Sequence, residues 1–465
     1  MSCFKSSSRR KFLKGAGCLG AFSAVASTAL QGQKEPPPAT GLNRAKNLIF
    51  LVADGMGTGT LSLTNHWNLR NKKRALHWMD LYNHPDWHSC LQGTASASSP
   101  VTDSAAAGSA WGSGQRVNNG SINYSAEGES FEPIFVSAKK AGKATGLVST
   151  CRITHATPAA FVANEPNRNN EDAIADQYLK REMDIYLGGG LRHFENETRN
   201  LVKAFTDKGY AFCRGAREMD ALPKDVKRIL GLFSKGHMPY AIDRLNDPSL
   251  SDVPGLDQMF RRALQVLSLH SEGFVLQIEA GRVDHAGHAN DPAAIVHEQL
   301  EFDRCIPIAL EYCQQDPETL VIVTTDHGTG GCQLNGLGDG YGDSGPALER
   351  INRFKASFEA MEKVFAERKG FDPVYFEAVT GISPDTGSSH RIASALQSKE
   401  QYFPGIMADV FQQDLFDATG VGWTSHNHTG EPVEFLAAGP GADKLPSYFE
   451  NFRLYGYLMQ ALGLG

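Results

Sequence analysis

Cysteine is scarce in this chain and poorly spaced for a structural metal site. There are eight in 465 residues and none forms a C-x-x-C pair, which argues against a zinc finger or ribbon. Positive charge is also short, with 45 Lys and Arg against 52 Asp and Glu and a net charge of −7. A nucleic-acid partner is therefore not expected, because a phosphodiester backbone calls for a basic face. The acidic balance does not exclude phosphate chemistry, since bound metal ions bring positive charge locally. No internal repeat is present, which sets aside solenoids and propellers. Long apolar runs are missing too. The N-terminal stretch Gly15 to Ala26 is too short and too glycine-rich to span a bilayer.

What is present reads as an ordinary globular protein, 41% hydrophobic and 21% charged. The length accommodates one large α/β domain with insertions, or two domains. Residues 1–30 read as an address. Arg9-Arg10 followed by Lys11-Phe12-Leu13-Lys14, a weakly apolar stretch and Ala24-Val25-Ala26 predict a twin-arginine signal read by the Tat export machinery. Cys18 has no adequate apolar run before it, so a lipoprotein is not expected. Residues 31–42 contain Pro36-Pro37-Pro38, a stiff linker, and the folded domain is expected over 43–465. Its destination is the periplasm or cell envelope, where the six remaining cysteines are free to form disulfides whose pairing the sequence does not fix. A homodimer is among the assemblies open to it.

Aliphatic strand signals alternate with helical stretches, at Asn47–Ala53, Ala144–Ser149, Asp184–Leu187, Arg228–Phe233, Gly273–Ile278, Thr319–Thr325 and Val433–Ala438. That alternation predicts an α/β fold with a large, mostly parallel sheet covered by helices on both faces. Asp291 with Pro292 behind it predicts a helix start, and Pro307 predicts a kink in that helix. Between about 333 and 423 lies an inserted segment. It opens with glycines 336–345, then places Leu348, Ile351, Phe354, Phe358, Met361 and Phe365 at helical spacing, with a stop at Glu367-Arg368-Lys369-Gly370. The pattern predicts one helix, within a helical subdomain over the site mouth.

Three of the strands deliver an acid at their carboxyl ends: Asp54 after Asn47–Ala53, Glu279 after Phe274–Ile278, and Asp326 after Leu320–Thr325. Carboxyl ends are where open parallel sheets place ligands. One such acid is commonly a helix cap. Three, two of them with histidines close behind (His285 and His288, then His327), are better explained as one metal centre. Asp284 and His288 combine a hard oxygen with a borderline nitrogen, a mixture that suits zinc. Ser104 stands at the threshold of the alanine-rich segment Ala105-Ala106-Ala107, where a helix N-terminus favours an alkoxide and a bound phosphate. No G-x-S-x-G surrounds it, so an α/β-hydrolase triad is a poor explanation.

Six blocks complete the picture: V-A-D-G-M-G at 52–57, V-T-D-S-A-A at 101–106, T-H-A-T-P-A-A at 154–160, E-A-G-R-V-D-H-A-G-H-A-N-D-P at 279–292, V-T-T-D-H at 323–327 and H-T-G-E-P-V at 428–433. In this order they resemble the alkaline phosphatase family, within a superfamily that also holds phosphodiesterases and sulfatases. The resemblance spans nearly all of the chain after the linker. It implies an alkaline-phosphatase-like fold and a phosphoric monoester hydrolase with two Zn2+ and one Mg2+. By the same resemblance Asp284, His288 and His428 hold the first zinc, and Asp54, Ser104, Asp326 and His327 the second. Asp54 also bridges to a magnesium completed by Thr157 and Glu279. Ser104 is the nucleophile and Arg168 the phosphate clamp. The implied reaction is two in-line displacements at phosphorus, with a phosphoserine between them. His155 stands where some members have aspartate, which leaves the third metal's identity open, and His285 falls to a supporting or a phosphate-facing position. His426 competes with His428, and the following Thr429-Gly430 selects His428. A sulfatase would need x-Pro-x-Arg after the nucleophile, and Ser104 lacks it. A phosphodiesterase and a non-catalytic phosphate- or metal-binding envelope protein are the other readings.

Overall fold

The computed structural model describes residues 44–397 and 402–464. The segments expected to be a signal and a linker, 1–30 and 31–42, lie outside the described residues. Ten strands form one sheet: β1 Asn47–Val52, β2 Trp87–Gly93, β3 Ala144–Arg152, β4 Ile185–Gly189, β5 Ala211–Cys213, β6 Ile229–Leu232, β7 Phe274–Glu279, β8 Thr319–Thr324, β9 Val433–Ala438 and β10 Tyr448–Glu450. Across the sheet they run β10-β2-β9-β8-β1-β7-β3-β4-β6-β5. Every neighbouring pair is parallel except the two that β9 makes, with β8 and with β2. The expected mostly parallel α/β sheet is what the chain builds.

The middle strands explain themselves by composition. β1 (NLIFLV), β7 (FVLQIE) and β8 (TLVIVT) are buried at every position, as strands covered on both faces must be. Alternate side chains feed two separate apolar clusters. Ile49, Leu51, Leu276, Ile278, Val321 and Val323 face one side, and Leu48, Phe50, Val52, Val275, Leu320 and Ile322 the other. No helix of the described residues is long and apolar enough to cross a membrane.

The helices that matter to the site follow the strand ends. They are α1 Thr58–Lys72, α2 Ser104–Ser113, α3 Ala156–Ala160 and α4 Arg282–His288. Then come α5 Pro292–Asp303 and α6 Cys305–Gln315. Asp291 caps α5 as predicted, its carboxylate accepting from the N–H groups of Ala293 and Ala294. The helix breaks at Arg304, ahead of Pro307, and restarts as α6. Pro307 sits in the first turn of α6, where its missing N–H costs nothing.

The single helix expected over 348–367 is not formed. Instead α7 Ser344–Glu349 passes through a 3-10 turn at Arg350–Arg353, and α8 starts afresh at Phe358–Glu367. The break has a physical cause in competing acceptors. Asp243 accepts from both the Ser357 N–H and hydroxyl at 2.7 Å, and Asp291 accepts from the Phe358 N–H at 2.9 Å. The backbone donors at the break are thereby taken by buried carboxylates rather than by the preceding turn. All six apolar residues of the stripe are buried all the same. Gln333–Leu334 pairs antiparallel with Val421–Gly422, and among the described residues the chain between these strands is helical, including α9 Phe403–Val410 and α10 Gln412–Thr419.

Candidate active site

β8, β1 and β7 are neighbours, and their register brings three acids together. Val52 of β1 pairs with Thr324 of β8 and with Glu279 of β7. Asp54 and Asp326, each two residues beyond a paired position, therefore leave the sheet side by side. Gly55 turns the chain immediately afterwards at φ +73°, and a Cβ there would lie 2.6 Å from the Asp284 Cα. Only glycine permits both the backbone conformation and this approach of α4. The Gly55 N–H then donates to Asp326 Oδ1 at 3.0 Å.

α4 carries Asp284 and His288 one turn apart. Both histidines beside Asp284 are oriented by backbone carbonyls: His288 Nδ1 donates to the His426 carbonyl, and His428 Nδ1 to the Thr102 carbonyl at 2.8 Å. A donor at Nδ1 leaves the lone pair on Nε2. The two Nε2 atoms face each other at 3.0 Å, and they lie 3.4 and 3.5 Å from the Asp284 oxygens. Ligands at about 2.0–2.1 Å from a tetrahedral ion stand about 3.3 Å apart, and these three do so. Two facing lone pairs have no mutual hydrogen bond, so the pair calls for a cation.

A second set surrounds His327 Nε2, with Ser104 Oγ at 3.2 Å, Asp326 Oδ2 at 3.2 Å and Asp54 Oδ1 at 3.8 Å. A third joins Asp54, His155 and Glu279, with Thr157 Oγ1 donating to Asp54 Oδ2 at 3.1 Å. Asp54 Oδ1, Asp326 Oδ2, Glu279 Oε1 and His155 Nδ1 are buried without any hydrogen-bond partner. Orphaned buried carboxylate oxygens are costly, and divalent ions would satisfy all of them, so the residues present fit a metal centre.

Electrostatics agree. Burial first, then the charges of Asp326, Asp284 and Glu279, push the Asp54 carboxyl well above its ordinary range. Burial raises Glu279 to about 7 against the hydroxyl of Ser149, and Asp326 to about 7 against the Gly55 N–H. Asp284 goes the other way: burial opposes its charge, but His288 and then His428 beside it hold its carboxyl far below the usual range. Burial and His428 hold His327 neutral.

Ser104 is the first residue of α2, buried, and capped by Asp103, whose carboxylate accepts from the Ala106 N–H. The other oxygen of Asp103 takes Arg168 Nη1 at 2.8 Å, while Arg168 Nη2 meets His155 Nε2 at 3.1 Å. One aspartate thus ties the helix of the serine to the arginine.

Residues 45–464 match the family model described as Alkaline phosphatase. Alkaline phosphatase 3 of Bacillus subtilis is 30% identical over 462 residues, 95% of this chain and 94% of its own. The crystal structure of Thermus thermophilus alkaline phosphatase aligns with a TM-score of 0.86 at 34% identity, covering 95% of this chain and 96% of that one. The cold-active alkaline phosphatase of a psychrophilic Shewanella aligns at 0.76 and 28% identity, covering 90% and 99%. The chain belongs to the alkaline phosphatase family. It is an enzyme, a phosphatase of a metal-dependent family, and its fold is that of its relatives.

The sequence-selected metal ligands of this alkaline phosphatase site, with Ser104, Arg168 and His155, lie within one continuous cluster, drawn from Asp54 near the first strand to His428 near the last. His285 stands aside, with its Nδ1 3.7 Å from Cys151 Sγ and 3.1 Å from Arg282 Nη1. His426 is turned away to Asp409 and to the His288 carbonyl. Sequence reasoning missed four supports. Thr329 Oγ1 donates to Asp284 Oδ1 at 2.6 Å, and Ser149 Oγ donates to Glu279. Asp103 joins nucleophile and clamp. His237 packs on His285, ring centroids 4.2 Å apart. Asp103 adjoins the selected serine and reads locally as a cap; Thr329, Ser149 and His237 carry no local pattern. All six cysteines of the described residues are free.

Proposed function

We propose that this phosphatase is an exported phosphomonoesterase that works through a phosphoserine on Ser104. The observation that carries the reading is the position of Ser104 Oγ, at a helix N-terminus and 3.2 Å from His327 Nε2, with Arg168 bound to the adjoining Asp103 at 2.8 Å. Asp284, His288 and His428 would hold one Zn2+, and Asp54, Asp326 and His327 with Ser104 the other. Asp54, Thr157 and Glu279 would hold Mg2+. His155 adds a nitrogen donor beside the third position, a feature that suits a softer ion than magnesium, and elemental analysis separates the two. Such ions supply charge neutralisation at phosphorus and lower the pKa of an oxygen they hold.

The rest is the work of the chain. The α2 N-terminus stabilises the serine oxygen and the phosphoryl group by its free N–H groups and positive potential. Arg168, steadied by Asp103 and His155, presents a planar guanidinium able to take two phosphoryl oxygens at once. Residues about 333–423 serve as an inserted subdomain that borders the mouth. The twin-arginine sequence supports export by the Tat machinery to the periplasm or cell envelope, and nothing in the charge of the site suits nucleic acid. The Ser104 block and Arg168 favour monoesters over diesters. Matched monoester, diester and sulfate ester assays, each with and without chelator, test the reading. Monoester hydrolysis lost to chelator is the expected result, and a diester-preferring or chelator-resistant enzyme overturns it.

A further inference from the structure

α4 is seven residues long and bears Asp284 and His288, two of the three ligands assigned above to the first zinc. A helix of two turns is marginal on its own in water, so tertiary contacts decide where it points. Its middle is held by the core, where Val283 and Ala286 are fully buried in one of the apolar clusters. Its two ends are held differently. Each is reached, through one intermediate side chain, by a carboxylate of the inserted segment.

At the N-terminal end the intermediate is Arg282, the first residue of α4 and only 3% exposed. Its guanidinium lies 3.7 Å from the centroid of the Tyr240 ring. One terminal nitrogen pairs with Glu359 of α8, and the other donates to His285 Nδ1 at 3.1 Å. At the C-terminal end the intermediate is His426. It donates from Nδ1 to the His288 carbonyl at 2.8 Å, and from Nε2 to Asp409 of α9 at 2.9 Å. The His426 carbonyl in turn accepts from His288 Nδ1, so the two histidines fix each other. α9 also lies close against the His426 ring, since a Cβ at Gly405 would stand 3.6 Å from it.

Global stability alone is a poor explanation of these contacts. The Asp409 side chain is 69% exposed, and an ion pair so open to water contributes little to folding. What it supplies is direction. Partners that orient a metal ligand are typically worth about 10- to 100-fold in metal affinity, and Asp409 and Glu359 stand one partner further out. We propose that Glu359 and Asp409 are positioning residues for the first zinc, acting through Arg282 and His426 on the two ends of α4. The proposal rests on the assignment of that ion to Asp284, His288 and His428. The inserted segment thereby contributes to metal binding as well as bordering the mouth.

The test is zinc affinity, read by competition with a chromophoric chelator and by elemental analysis. Asp409→Asn and Glu359→Gln keep the shape of each side chain and delete its charge. Each is expected to weaken one zinc site by about three- to tenfold and to leave the other within about twofold. In an Asp284→Ala background, which removes the first site, the same substitutions should not alter the zinc that remains. Denaturant titration of metal-free Asp409→Asn should match the parent, which separates positioning from a general loosening of the fold. Unchanged zinc affinity in Asp409→Asn, equal weakening of both sites, or a loss that persists in the Asp284→Ala background overturns the proposal. If Asp284→Ala itself binds as much zinc as the parent, the assignment of the first site fails instead.

Discussion

At the scale of single residues, two side chains carry different burdens and fail in different ways. Ser104 makes and breaks the covalent bond in the proposed reaction, so Ser104→Ala should lower kcat by about 1000-fold or more. Metal content by elemental analysis should stay close to that of the parent, because His327, Asp54 and Asp326 remain. Thr329 touches no substrate. Its hydroxyl fixes Asp284 from behind at 2.6 Å, and partners of this kind are typically worth about 10- to 100-fold in metal affinity. Thr329→Val, which keeps the shape and deletes the donor, should weaken zinc binding by about that factor, measured by competition with a chromophoric chelator. Rates in excess zinc should recover most of the loss. The two residues also mark what the sequence made legible. Ser104 announced itself by the alanines behind it, and the acids by the strands before them. Thr329 approaches Asp284 from 45 residues away, and no local spacing encodes such a meeting.

At the scale of elements, Asp291 is the joint between the metal-bearing region and the helical segment that follows. Its carboxylate accepts from Ala293 and Ala294 at the start of α5 and from Phe358 at the start of α8. Burial raises its own pKa to about 6, which shows how far the surroundings depend on these donors to keep it charged. Asp291→Ala removes one helix cap, worth about 1 kcal/mol, and leaves the Phe358 N–H without its acceptor, worth about 1–3 kcal/mol more. The expected destabilisation is about 2–3 kcal/mol in a denaturant titration, with a parallel loss at Asp243→Ala, which empties the neighbouring acceptor for Ser357. The same joint explains where periodicity misled. Leu348 to Phe365 keep the spacing of one helix, and all are buried, yet carboxylates on distant segments divide the helix in two. Strand legibility followed the same logic. β1, β7 and β8 are dominated by aliphatic residues and are evident from their sequence, whereas β2 (WHSCLQG) mixes polar residues with apolar ones, and β5 and β10 are three residues long. Those strands are held by their neighbours rather than by their own pattern.

At the scale of the whole molecule, the metal-free centre is a store of repulsion. Glu279 and Asp326 are both raised to about 7, chiefly by burial, from ordinary values of 4.5 and 3.8. In that window these two carboxyls bind more protons in the folded, metal-free protein than in the unfolded chain, whereas His155, His237, His285, His297 and His327, all lowered, bind fewer. The stability that the two carboxyls contribute is therefore fully present below their unfolded pKa values and is lost as pH rises through about 7. Metal-stripped protein should lose melting temperature from about pH 6.5 to pH 7.5, above the ordinary histidine midpoint, where the two carboxyls still titrate. Zinc and magnesium should remove that slope and raise the melting temperature most at the alkaline end, where the ligands are deprotonated. A metal-free protein that grows more stable across the same window would contradict the assignment. The order of the ligands along the chain has a consequence for how the molecule comes into being. Asp54 emerges early in synthesis and His428 late, and closing contacts over such separations is slow. An ion arriving at a half-made chain finds isolated acids and no pocket. The complete set of candidate ligands therefore exists only once His428 has been made and the strand ends have met, so capture of the ions by the whole centre depends on the finished topology.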